Sequence, residues 1–236
     1  SAAFIMVVPL LFSFVTAFKS PQDFASHSPF ALPSPPSLAS FQAILTGRVN
    51  FGDAIITTLL MVVVMVVGQL VSSVLAAYAF ARIEFPGREF IFWLFLGTMM
   101  IPASVLVIPL YLMMAKMGLN NTFWGIVLPF VFASPYAVFL LRQSFRQIPQ
   151  EIIDAATMDG AGQMRILFSI VVPVSKPIIS TLVLITVVSQ WNSFMWPRII
   201  AATRPRVLTV ATAALQSQYN ANWTYVMAAT TIALVP

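Results

Sequence analysis

The sequence predicts an all-α membrane protein of six transmembrane helices, the first and last cut short. Three observations predict it. The chain of 236 residues is 59% hydrophobic and only 8% charged, whereas soluble domains carry about 25% charged residues. Its mean hydropathy is +0.92, more apolar surface than a soluble core of this size can hide. Its charges gather between long uncharged runs, and seven of the nineteen lie in one stretch, 142–177. Composition also narrows the chemistry. Cysteine is absent, which removes a disulfide framework, a thiol nucleophile and Cys-based metal sites. The single His27 lies in a Pro/Ser-rich segment and reads as a surface residue rather than a ligand. The net charge of +5 is spread over connecting segments, which suits anionic lipid head groups and not nucleic acid.

Ser1 to Phe18 is uncharged and ends at Lys19. Eighteen residues fall just short of the roughly 20 that cross a bilayer. No basic n-region precedes them, so the run reads as a first span whose start lies outside the sequence, not as a signal peptide. Lys19 to Gly52 carries prolines at 21, 29, 33, 35 and 36. They favour extended backbone, so an ordered but irregular segment over the membrane surface is expected, either a connector or part of a docking surface. Asp53 is placed to cap the second span. From Ala54 to Ala81 no residue is charged. That length is about 42 Å as a helix, against a hydrocarbon core of about 30 Å, so the helix tilts or projects. Ser73, Ala77 and Ala81, four apart, admit a close neighbour. Gln69 is polar in mid-span and serves either an interhelical hydrogen bond or a pathway.

Arg82 to Glu89 is a charged turn, and Phe90 to Ala115 is the third span, with Gly97, Pro102 and Pro109 inside it. Prolines free carbonyls and kink helices, here as an ordinary bend or as one that lines a pathway. After the turn 116–122, the fourth span runs from Phe123 to Leu141, broken by Pro129 and Pro135. The fifth, Ile178 to Trp196, ends with Gln190, Trp191 and Asn192, as interface-belt residues or as pathway lining. Arg198 to Tyr225 is a long loop in which Gln216, Gln218, Tyr219, Asn220 and Trp223 suit a contact surface or a carbohydrate rim, although amides are also ordinary loop residues. Val226 to Pro236 opens the sixth span.

The charged stretch 142–177 carries the punctuation of two short helices. Pro149 fits a first helical turn, and Gly160 and Gly162 supply a stop and a sharp turn. A second helix is expected from about Ala161 to Val172, ended by Pro173 and Pro177. On it Met164, Leu167, Phe168 and Val171 fall at i, i+3, i+4 and i+7, one apolar face with no partner in the loop. Glu151, Asp154 and Asp159 read either as paired catalytic carboxylates or as acids stabilised near a helix start, and the second reading is the simpler. No phosphate loop and no His/Glu metal pattern occurs, so the chain offers no ATP site of the P-loop kind and no catalytic constellation.

This stretch carries a resemblance. Asp154-Ala155-Ala156, three residues, Gly160, nine residues, then Ile170-Val171-Val172-Pro173 resembles the Glu-Ala-Ala loop of ABC-importer permeases. Asp154 stands for the motif's Glu, an arm one methylene shorter, and Val172 for its Leu. Ala77-Tyr78-Ala79-Phe80-Ala81-Arg82 with Phe85-Pro86-Gly87-Arg88, and Trp191-Asn192 with Trp196-Pro197, are similar to the carbohydrate-uptake class of that family, the second permease of maltose, glycerol-3-phosphate and related importers. The resemblance covers nearly the whole chain. It implies a single transmembrane domain over 1–236 in a bacterial inner membrane, with 142–177 as a cytoplasmic coupling loop and 19–52 and 198–225 outside. It implies that Glu151, Asp154, Ala155, Ala156, Asp159, Gly160, Met164, Leu167, Phe168 and Pro173 meet an ATPase subunit. The long loop, with Gln216 to Trp223, would face an extracytoplasmic solute-binding protein. A second permease and two ATPases would complete the complex, with ATP and magnesium held by the ATPases and no cofactor in this chain. The side of the membrane rests on the resemblance. Arg82, Arg88, Arg142, Arg146, Arg165 and Lys176 fall on one side, and Lys19, Arg48, Lys116, Arg198, Arg204 and Arg206 on the other, so the positive-inside rule is tied.

Two other function classes compete. An ion-coupled carrier or channel needs ionisable groups within its spans, and none lies between Asp53 and Arg82, Glu89 and Lys116, or Lys116 and Arg142. A membrane scaffold for an enzyme complex would use an oily docking loop but has no need of proline-broken spans.

Overall fold

The long uncharged run closes into one helix, Phe51–Arg82, of 32 residues. A computed structural model describes residues 2–28, 30–47, 51–218 and 223–234, without the side chains of 2–5, 217 and 218. All its regular elements are helical among the described residues. They are α1 (Ala2–Ala17), α2 (Pro21–Ser26), α3 (Ala39–Thr46), α4 (Phe51–Arg82), α5 (Arg88–Gly97), α6 (Ala103–Lys116), α7 (Phe123–Val127), α8 (Pro135–Arg146), α9 (Gln150–Met158), α10 (Gln163–Ile166), α11 (Val172–Val174), α12 (Lys176–Trp191), α13 (Met195–Ile200), α14 (Leu208–Gln218) and α15 (Trp223–Ala233). Two compact units result, residues 1–60 with 191–236, and residues 61–190.

In the first unit α15 is the centre, packed against α1, α2, α3 and α14. Ala228 and Ala229 are fully buried on it, and such small side chains let helix backbones approach closely. Ala17, Ile44, Phe51, Leu208 and Leu215 complete this core. In the second unit Val74, Ala77 and Tyr78 of α4 pack with Phe92, Val138, Leu141, Phe145, Ile153, Ile166, Leu167, Val171 and Leu182. The outside of α4 is oily as well. Ile56, Leu59, Val63, Val67 and Val71 are exposed at three- and four-residue spacing, a stripe that suits lipid. Among the described residues α4 alone is, by length and composition, long and apolar enough to cross a membrane, and up to four spans result if each of three bent helix pairs counts as one.

The structure departs from the sequence expectations at several boundaries. Asp53 lies in the first turn of α4, because the helix already begins at Phe51; there its charge favours the helix dipole. The proline-rich segment is partly helical. Ser20 Oγ accepts the Asp23 N–H at 3.1 Å and Pro21 occupies the first turn of α2, while α3 buries Ser40 and Ile44. The third span is two helices, Arg88–Met100 with its 3₁₀ end and Ala103–Lys116, bent by 100°. Pro102 ends the first by forcing Ile101 into extended backbone, whereas Pro109 is absorbed inside α6. The fifth helix stops at Trp191, and a break precedes α13, which buries Trp196 and Ile200. The loop 198–225 holds α14, whose Leu208, Ala211 and Leu215 recur at helical spacing and are buried.

Candidate functional site

The charged stretch builds a helical elbow. After α8, Ile148 is buried and Pro149 is the cap of α9, one residue outside the turn rather than in it. α9 turns Ile153 into the core and rests Ala156 against it. Its other face, with Glu151, Ile152, Asp154, Ala155, Met158 and Asp159, is exposed. The helix ends in a Schellman motif. Ala161 N–H donates to Ala156 O at 3.0 Å and Gly160 N–H to Thr157 O at 2.9 Å. Gly160 takes φ +79°, which costs an L residue about 1–2 kcal/mol. A Cβ there would touch nothing within 4 Å, so the glycine serves the backbone turn and leaves open space outside. Gly162 is extended, with φ −73° and ψ 163°, and starts α10 instead of making a second sharp turn.

The second helix differs from the expected single α-helix over 161–172. α10 passes into a π-helical turn, Leu167–Val171, where Val172 N–H donates to Leu167 O. Pro173 has no N–H for the ordinary bond to residue 169, and the five-residue register just before it lets the helix run on to Val174. α12 then begins at Lys176, bent by 80°, with Pro177 inside its first turn. The apolar face is therefore shared between inside and outside. Leu167 and Val171 are fully buried, which corrects the expectation that Leu167 is presented for contact, while Met164 and Phe168 are 62% and 58% exposed. Met158, 88% exposed, joins them and was not singled out from the sequence.

Arginines fix the elbow from behind. Arg82, the last residue of α4, donates from Nη1 to Gln150 Oε1 at 2.7 Å and from Nη2 to the carbonyls of Phe145 and Ile148. Gln150 in turn donates to Asp154 Oδ1 at 2.9 Å. Tyr78 donates to Gln163 Oε1 at 2.6 Å. From the opposite direction Arg142 Nε donates to Phe80 O at 3.1 Å. Its guanidinium is ion-paired to Glu89 and lies 3.9 Å from the Phe92 ring centroid. Arg142 is buried but Glu89 is half exposed, so solvent screens the pair and it contributes less than a fully buried one. Sequence reasoning missed these residues as a group. The available signal was the placing of Arg82 and Arg142 at the ends of uncharged runs; the pairing itself spans 53 to 85 positions.

The other expected site residues are not brought together with these. Gln69 Nε2 donates to Phe130 O at 2.5 Å, an interhelical bond. Near it Val66, Leu70, Ala137, Leu182, Val183 and Thr186 line a small crevice. Gln190 is half-buried at the end of its unit. In the first unit Trp191 Nε1 donates to Ala233 O at 3.0 Å, and Asn192 is exposed. Gln216 and Trp223 are exposed and Gln218 ends α14, its side chain outside the description; Tyr219 and Asn220 lie outside the described residues. Pro173 is exposed beside the bend.

Residues 68–236 match the family model described as "Binding-protein-dependent transport system inner membrane component". The chain is similar to the sn-glycerol-3-phosphate transport system permease protein UgpE of Yersinia pestis, at 36% identity over 79% of this chain and 67% of that protein. It is also similar to the diacetylchitobiose uptake system permease protein NgcG of Streptomyces coelicolor, at 30% over 98% and 78%, and to the arabinooligosaccharides transport system permease protein AraQ of Halalkalibacterium halodurans, at 31% over 99% and 85%. Its fold matches a chain in the crystal structure of a bacterial ABC transporter involved in alginate import, with a TM-score of 0.84 at 24% identity, covering 99% of this chain and 88% of that one.

Proposed function

The chain belongs to the family of binding-protein-dependent transport system inner membrane components, and from that premise we propose that it is one of two permeases in an ATP-driven importer of a carbohydrate-type solute. Family membership makes the chain a transport permease and displaces the ion-coupled carrier. The named relatives take up glycerol-3-phosphate, diacetylchitobiose and arabinooligosaccharides. Those solutes are all polyhydroxylated, which supports a sugar, oligosaccharide or glycerol-phosphate compound here. In this reading the protein crosses a bacterial inner membrane six times. Two partner ATPases hold ATP and magnesium, a second permease completes the pathway, and an extracytoplasmic binding protein delivers the solute to the side of Gln216, Gln218, Tyr219, Asn220 and Trp223. Gln69, Gln190, Trp191 and Asn192 are the chain's candidate contacts with solute.

The observation that carries this reading is the outer face of the elbow. Ile152 and Met158 on one arm and Met164 and Phe168 on the other, the two arms joined at Gly160, are exposed large apolar side chains, and Glu151, Asp154 and Asp159 are exposed on the first arm. Exposed apolar side chains set among acids suit a protein contact. The ATPases would close on ATP, pull this elbow and rock the spans. The cysteine-free chain makes the test clean. Met158→Cys is expected to be shielded from a water-soluble maleimide in the assembled importer and to react once the ATPases are stripped. Equal labelling in both states would remove the elbow from the ATPase interface.

A further inference from the structure

We propose that Arg82 and Tyr78 are positioning residues that tie both arms of the elbow to the last turn of α4, so that coupling segment and span move as one body. The inference rests on the docking role given to the elbow in the preceding section.

The geometry is specific. Arg82 and Tyr78 are four residues apart and lie one above the other on α4. Arg82 holds Gln150, the first residue of α9, and also the carbonyls of Phe145 and Ile148, which close α8. Through Gln150 the bond chain reaches Asp154, the acid of the loop motif. Tyr78 holds Gln163, the first residue of α10, on the far side of Gly160. One turn of α4 therefore bonds both arms of the elbow. Ile153 and Ala156 of α9 pack in the same core as Tyr78, so the polar ties surround an apolar contact. Arg142 bonds the α4 carbonyl at Phe80 from α8, which fixes that turn from the other direction.

A plain helix cap would explain less. A cap for α8 needs Phe145 and Ile148 only. The bonds to Gln150 and Gln163 contribute nothing to α8; they join the two arms of the elbow to a membrane helix. The residue type fits as well. The guanidinium is a rigid planar fork that reaches three acceptors at once, and an ammonium on a flexible stem does not hold that arrangement. A force on the exposed face of α9 would otherwise be lost in bending at Pro149 or Gly160.

The test uses the complete importer in proteoliposomes, with spin labels at Thr157→Cys and Val71→Cys, both exposed. Otherwise unaltered protein should show one α9–α4 distance with and without ATP. Combining Tyr78→Phe with Gln150→Ala should broaden that distance and lower solute imported per ATP about tenfold, with ATP hydrolysis retained. Arg82→Lys should behave the same way, whereas a simple requirement for positive charge would be rescued by lysine. The double variant removes three side-chain bonds, Tyr78 to Gln163, Arg82 to Gln150 and Gln150 to Asp154, and leaves the Arg82 carbonyl contacts, which guards against a variant that fails to fold. A distance that changes with ATP in the unaltered chain overturns the proposal. So does an unchanged import-to-hydrolysis ratio in both variants, or import and hydrolysis falling in proportion. The Met158→Cys shielding experiment separates the two failures. Shielding with unchanged coupling overturns the tie alone, and absence of shielding overturns the docking role and the tie together.

Discussion

Two of the three helix breaks within residues 61–190 show how differently a proline break can be built. At the first, between α5 and α6, the chain bends by 100°. Its hydrogen bonds are local: Thr98 Oγ1 donates to Phe95 O at 2.7 Å and Ile101 N–H to Thr98 O at 3.2 Å. Met99, Met100 and Ile101 are exposed there. At the second, between the 3₁₀ turn Leu128–Phe130 and α8, the bend is 40°. Here α4 supplies what the prolines take away. Gln69 donates to Phe130 O, and buried Ser73 Oγ accepts the Ser134 N–H at 3.2 Å. Gly68 gives the room for that approach. The same residue type thus makes an open corner in one place and a braced joint in the other. Proline decides where a span breaks; the neighbouring helix decides whether the break is held.

The sharpest way to break this contrast is to fill Gly68. A Cβ there would lie 2.4 Å from Val131 Cγ2 and 2.6 Å from Val131 O. The second contact is backbone, so α4 and the joint must separate. Gly68→Ala is expected to cost about 3 kcal/mol, the upper part of the usual range for overpacking. Unfolding in detergent by SDS titration measures it. The same substitution at Gly97, where an added Cβ meets nothing within 4 Å, serves as the control and should stay near the small cost of an ordinary surface change.

How far the sequence reaches depends on whether an effect is local. The uncharged run to Ala81, the breaks at Pro102 and Pro135 and the left-handed Gly160 all follow from nearby residues, and the structure contains each of them. Resemblance over 154–173 also found the elbow. What was illegible depends on distant partners. Leu167 belongs to an oily face by spacing, but the π-helical turn directs it into the core. α14 was hidden because a loop of amides and small apolar residues folds only when another element covers Leu208 and Leu215. Tyr78 and Arg82 stand in a family-like run, but nothing near them points to Gln163 or Gln150 as a partner, because those bonds cross more than sixty residues.

A smaller effect is expected from the brace itself. Gln69→Leu removes the donor to Phe130 O while keeping bulk. Interhelical side-chain bonds in membrane proteins are worth about 0.6 kcal/mol on average and up to about 1.7, so a loss of about 1 kcal/mol is expected in the same titration. It should be well below the Gly68→Ala loss, because a missing bond leaves the helices in place and a clash does not. If Gln69→Leu instead stops transport at unchanged stability, Gln69 belongs to the solute pathway and its bond to Phe130 is incidental.

The smallest change in stability is expected at the open corner, and there the shape is the readout. Pro102 keeps Ile101 extended and denies α6 an N–H in its entry. Pro102→Ala lifts both restrictions and should alter stability by no more than about 0.5 kcal/mol. Among the described residues no hydrogen bond runs from α4 to the backbone of 98–102, so the 100° bend should open. Spin labels at Trp93→Cys and Leu112→Cys, both exposed, should then report a longer and broader distance. Pro135→Ala is the matched case. Proline is removed from the first turn of α8, but Ser73 still accepts the Ser134 N–H and Gln69 still bonds Phe130. Its 40° bend should persist, read by labels at Trp124→Cys and Arg146→Cys. Opening at both sites would show that proline alone sets the two bends, and persistence at both would show that neither bend depends on it. The braced and open classes survive only if the two breaks respond differently.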